Sequence, residues 1–324
     1  MQTWKFENGV VSWPYNAVLA SPVKLDNSLT REKWIEYYGA GVPYKALMVM
    51  REINMIMLLI LLVSLYYTAN LILKSPLLAM AATLPVALCP VYVTSLGIWS
   101  WSGDIFVVAL FGVGLALWVK WHMSNAFLTG TRKQRWLRLI AIAAIGGLAT
   151  SSKQTGVLFV LAFAVYLCIS YSGHRRIWVP VLVSLVSFFV FCLLNPCIWF
   201  YTSVDVWPWQ ILGHFISRRR TVIAQYISSR GPMSTTDILQ QTFWWFPVMP
   251  IVCVAVWRCR HERWLLPILI WGAFIVFGTA IGILQTHMLY LRYVAPIELG
   301  AFFPIAIVLL SSFNKKEECK SKWL

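Results

Sequence analysis

The chain has 324 residues, of which 59% are hydrophobic and 12% charged, and its mean hydropathy is +0.70. A soluble domain carries about 25% charged residues, so a water-soluble globule is excluded, and the same hydrophobicity excludes intrinsic disorder. The 27 Lys+Arg against 12 Asp+Glu leave a net charge of +15, which in a membrane protein reads as loop charge that sets orientation and not as a nucleic-acid footprint.

The first 50 residues are polar and carry Glu7, Asp26, Glu32 and Glu36. Arg51 and Glu52 stand at the head of the first apolar run. At roughly 20 residues per crossing, the apolar runs predict about nine transmembrane helices, near 53–73, 76–98, 102–121, 137–151, 154–171, 177–200, 240–257, 264–284 and 292–313. Continuous apolarity without alternation argues for helices and against barrel strands. The expected fold is therefore an all-α integral membrane protein, with an N-terminal segment 1–50, a multi-pass domain 51–314 and a basic tail 315–324. Within the long loop 201–239, Ile211, Leu212, Phe215, Ile216, Val222, Ile223, Tyr226 and Ile227 recur at helical spacing, which predicts an amphipathic helix lying in the membrane interface.

Short basic loops give the orientation. Arg132, Lys133, Arg135 and Arg138, then Arg175 and Arg176, then Arg258, Arg260 and Arg263, and finally Lys315, Lys316, Lys320 and Lys322 all fall on one side of a nine-helix chain. The positive-inside trend makes that side cytoplasmic. The outer face then receives 1–50, 201–239 and the turns near 98–102, 151–154 and 285–291. Translocating a polar tail without a preceding apolar helix is awkward, so a first transmembrane helix is expected to be missing from this sequence.

Polar residues converge on the outer face. Asp104 opens the third crossing, where an acid is either functional or complements the helix dipole. Lys153 sits in the tight turn Thr150-Ser-Ser-Lys153-Gln-Thr-Gly156, with hydroxyls on both sides and a helix start behind it. Such a turn suits an anion, although a lysine there can also snorkel to headgroups. Arg218, Arg219 and Arg220 lie on the interfacial helix against the positive-inside trend, and arginine pairs best with phosphate. Arg292, His287 and Glu298 flank the last outer turn and are candidates to complete a polar pocket. No Walker loop, GxSxG or HExxH occurs. The seven cysteines show no CxxC spacing, so they read as small core residues with no disulfide framework. No cofactor is expected, and the clustered carboxylates are too few to argue for or against a divalent metal. A carboxylate beside several phosphate-binding cations suits transfer of a group from a lipid phosphate to an acceptor hydroxyl.

Four motifs carry a resemblance. Ser102-Gly-Asp104-Ile-Phe, Gly147-Leu-Ala-Thr-Ser-Ser-Lys153-Gln-Thr-Gly156, Asn195-Pro-Cys-Ile-Trp199 and Leu291-Arg-Tyr-Val-Ala-Pro296, in this order, resemble the GT-C membrane glycosyltransferases. The nearest branch is the dolichyl-phosphate-mannose protein mannosyltransferase-like group, and the likeness runs from about Met50 to Ile307. The resemblance implies a multi-pass helical fold, a site on the lumenal or periplasmic side, and a polyprenyl-phosphate-linked sugar as donor. Asp104 and Lys153 match the acid and lysine of the family's helix-turn signatures, Arg51 its arginine before a crossing, and Arg292 its RY-x-x-P element. The family's catalytic base follows its first helix; the one acid near that place here is Glu7, and the match is poor. A degenerate, inactive relative or a lipid-linked-sugar transporter are the rival readings. A transporter would be expected to show an internal repeat, and none is visible. The membrane is the bacterial inner membrane or that of the endoplasmic reticulum, and the absence of an Asn-x-Ser/Thr sequon leans towards the former.

Overall fold

The structure is a computed structural model that describes residues 44–89, 104–194, 245–286 and 291–321, together with 234, 236, 240 and 243. Side chains are not described at 44–51, 104, 154, 285–286, 291–295 and 315–321. The described residues form α-helices and short 3-10 turns, with no strand among them.

Helix α1 (Tyr44–Leu73) is followed after two residues by α2 (Pro76–Ala87). Lys74 makes the turn with a φ of 53°, and Ser75 caps α2 by accepting from the Leu78 N–H at 3.4 Å. Helix α3 (Asp104–Met123) ends in a loop in which Asn125 (φ 53°) and Gly130 (φ 89°) take left-handed conformations. Thr131 and Gln134 then form a capping box that starts α4 (Arg132–Ser152). A 3-10 turn (Gln154–Gly156) joins α4 to α5 (Val157–Ser170), and α6 (Arg175–Leu194) follows. The last three helices are α7 (Met249–Cys259), α8 (Leu265–Thr286) and α9 (Leu291–Ser321).

Five stretches are long and apolar enough to cross a membrane: Glu52–Leu73, Ile105–Met123, Arg175–Leu194, Leu265–Leu284 and Pro296–Asn314. The apolar helices Pro76–Ala87, Val157–Ser170 and Phe246–Cys259 are shorter, and α4 is long but less apolar. Among the described residues, five of the nine expected crossings meet the length and composition of a membrane span. The interfacial helix predicted in 201–239 lies outside the described residues.

The interior is aromatic and aliphatic. Trp118, Phe111, Phe159 and Phe163 are fully buried, and Trp118 meets Phe163 edge to face at 5.1 Å between ring centroids. Large apolar side chains also cover the outside. Leu59 and Val63 on α1, Leu77 and Met80 on α2, and Phe188 and Phe189 on α6 are all exposed. In water such a surface would aggregate, whereas in lipid it is the natural solvent-facing side.

Three contacts bring the basic loops to one end of the bundle. The Arg263 carbonyl, ahead of α8, accepts from His122 Nε2 at 2.7 Å. With that nitrogen protonated, the neutral ring accepts at Nδ1 from the Tyr166 hydroxyl, also at 2.7 Å. Tyr171, just after α5, donates to the Phe127 carbonyl at 3.0 Å. The C-terminal ends of α3 and α5 and the start of α8 therefore share this basic end, and the loop cations Arg132, Arg175 and Arg263 belong to it.

Candidate active site

The opposite end can be located by register. Lys153 ends α4 and precedes α5, so at 1.5 Å per helical residue it stands about 20 Å from the Tyr166 level. Asp104 is the first residue of α3 and stands about 27 Å from His122. Helices α1 and α3 run parallel, because Gly112 faces Leu61 and Ser64 while the Lys120 ammonium lies 6.0 Å from the Tyr67 ring. Stepping back eight residues from Gly112 and from Leu61 sets Asp104, the first residue of α3, level with Ile53, so the backbone of Arg51 on α1 lies near the level of Asp104. Helices α8 and α9 are antiparallel and touch backbone to backbone. A Cβ added at Gly272 would lie 2.6 Å from the Gly300 carbonyl oxygen. This pairing carries the start of α9, with Arg292 and Glu298, to the Asp104 end.

The structure thus gathers Arg51, Asp104, Lys153, Arg292 and Glu298 at one end of the bundle, away from the basic loops. For Arg51, Asp104 and Arg292 this is a statement about backbone position alone. Glu7, Arg218, Arg219, Arg220 and His287 lie outside the described residues.

Lys153 is half-buried at the C-cap of α4. Its N–H donates to the Ala149 carbonyl at 3.1 Å, and its own carbonyl accepts from Gly156 N–H at 2.8 Å. The turn requires glycine at 156, because a Cβ there would strike the Ala149 carbonyl group and the Thr150 nitrogen. The neighbouring hydroxyls behave differently from the sequence expectation. Thr150, Ser151 and Ser152 donate to the carbonyls of Gly146, Gly147 and Leu148 at 2.8, 2.9 and 2.9 Å. Their protons are committed to α4, which leaves the lysine as the cationic element of the turn.

Glu298 is 8% exposed. Its Oε2 accepts from the Cys89 thiol at 2.8 Å, a bond that ties the end of α2 to α9. Sequence reasoning placed Glu298 in the pocket but read Cys89 as a plain core residue. It also passed over Asn54, which is 2% exposed on α1; an amide in the apolar run Ile53-Asn54-Met55 was the available signal. Thr155 and Thr279 add two buried hydroxyl oxygens without a hydrogen-bond partner. The residue types are those needed to hold an anion and to move a proton: three cations, two of them at helix ends, and two carboxylic acids.

Residues 33–200 match the protein family described as dolichyl-phosphate-mannose-protein mannosyltransferase. The match spans just over half of the chain and takes in Arg51, Asp104 and Lys153, but not Arg292 or Glu298. No curated protein and no solved structure matches.

Proposed function

The chain belongs to the dolichyl-phosphate-mannose-protein mannosyltransferase family, a GT-C group of membrane glycosyltransferases, and from that premise we propose that it moves a sugar from a polyprenyl-phosphate donor to an acceptor hydroxyl at the outer face of the membrane. The family implies a lipid-linked sugar donor. The observation that supports the reading is the shared backbone level of Arg51, Asp104, Lys153 and Arg292 at the end of the bundle remote from the basic loops.

In this reading α2, α4, α5 and α7 complete nine crossings. The acceptor oxygen attacks the anomeric carbon, and the bond from that carbon to the phosphate oxygen breaks. Polyprenyl phosphate leaves carrying the electron pair. Lys153, Arg51 and Arg292 stabilise the negative charge that develops on it, and Arg218, Arg219 and Arg220 are further candidates for that role by residue type. The acceptor proton passes to a carboxylate, for which Asp104 is the candidate inside the bundle and Glu7 the candidate in the N-terminal segment. Glu298 and His287 line the pocket.

The test is sugar transfer in membranes containing the protein, with a radiolabelled polyprenyl-phosphate sugar as donor. Losing a cation that acts on the departing phosphate lowers turnover by roughly 100-fold or more, and Lys153→Ala is expected to do so, as is Asp104→Asn. Full activity in both variants would remove the site assignment. Absence of transfer by the unmodified protein with any polyprenyl-phosphate sugar would favour an inactive family member.

A further inference from the structure

The basic end of the bundle has an electrostatic oddity. Helices α4 and α6 run side by side in the same direction. Ser187 Oγ on α6 donates to the Ala143 carbonyl on α4 at 2.8 Å, and Gly147 faces Val190 one turn further along. Eleven residues back from Ala143 and from Ser187 lie Arg132 and Arg176, so the two helices begin level with each other. A helix start carries about half a positive charge and normally takes acidic residues. Here neither first turn holds an acid. Instead Arg132 and Lys133 open α4, Arg175 and Arg176 open α6, and all four are exposed.

Two further cations of the α3–α4 region have partners within the fold. Arg138 donates to the Ala126 carbonyl, and to that of Thr129 at 3.4 Å; Arg135 donates to that of Leu128 at 3.3 Å. These two hold the α3–α4 loop. The surface just beyond the four exposed cations is apolar, with Leu137, Ile177 and Trp178 exposed by 55%, 66% and 62%. A charged rim over an apolar wall with an exposed tryptophan is the profile of a membrane boundary.

We propose that this face binds anionic phospholipid headgroups, with Arg132, Lys133, Arg175 and Arg176 on the phosphate and Leu137 and Trp178 against the acyl chains. The mixed character selects a lipid over a soluble anion, since a free phosphate would use only the charged rim. Each cation near a charged membrane surface adds to the attraction, so four together are expected to give a clear preference for anionic over zwitterionic lipid. The inference stands apart from the sugar-transfer reading, because it concerns the opposite end of the bundle.

The experiment is native mass spectrometry of the full chain in detergent, with phosphatidylglycerol and phosphatidylcholine added in equal amounts. The expected result is roughly tenfold or greater retention of phosphatidylglycerol. The preference should vanish in the variant Arg132→Gln/Lys133→Gln/Arg175→Gln/Arg176→Gln and persist when the three arginines are replaced by lysine. Equal retention of the two lipids by the unmodified protein would overturn the proposal. So would a preference that survives all four glutamine substitutions. Displacement of phosphatidylglycerol by inorganic phosphate at matched concentration would reassign the face to a soluble anion.

Discussion

Cys89 and Glu298 show what a single side chain can do in a medium without water. A buried carboxylate needs a donor, and removing one leaves a desolvation cost of about 1–3 kcal/mol. Cys89→Ala is therefore expected to lower the thermal midpoint of the purified protein, while Cys89→Ser, which keeps a donor, restores it. An unchanged midpoint in the alanine variant would show that the bond at 2.8 Å contributes nothing. Gly156→Ala is a harsher change, because the added methyl meets main chain and not a side chain that can turn away. A loss of about 1–3 kcal/mol is expected from such overpacking, read as a lower midpoint together with weaker sugar transfer. Asp104 and Lys153 were legible in the sequence, since a charge beside an apolar run is conspicuous. Cys89 was not: its partner stands 209 positions away, and nothing local marks a thiol as a donor to a carboxylate.

Between elements, α4 meets α6 at close quarters. Gly147 lies against the Ser187 carbonyl and Val190, where a Cβ would approach to 2.5 and 2.7 Å. Gly147→Val should push the two helices apart and cost at least the 1–3 kcal/mol typical of overpacking, measured by thermal unfolding in detergent. An unaltered midpoint would mean that the joint opens freely. Helix existence was readable from apolar runs, but several limits were not. Helix α4 starts at Arg132, five residues before the expected 137, because the Thr131–Gln134 capping box extends it through polar residues. Helix α2 stops at Ala87 and not near 98, two residues short of Cys89-Pro90, and a proline disfavours helical backbone in the residue before it. Hydrophobicity locates what is buried, whereas caps and prolines decide where a helix begins and ends.

For the whole molecule, the bonds of His122 to Arg263 and of Tyr171 to Phe127 fix three loops at one end. In a variant with all cysteines replaced, single substitutions Thr129→Cys, Ser172→Cys and His261→Cys should react with a membrane-impermeant maleimide from the same side. Labelling of any two from opposite sides would dismantle the bundle order described above. Sequence charge pointed to this arrangement, but only tertiary contacts between loops far apart in the chain could fix it. The α4–α5 pair has a consequence for how the protein is made. Helix α4 opens on arginines and α5 is 14 residues long, so neither is a good candidate for entering the bilayer by itself. Joined by a turn closed on Gly156, they have to leave the translocation channel together, as one hairpin. A ribosome halted after Gly156 should accordingly hold α4 outside the lipid, and synthesis of α5 should release it inward.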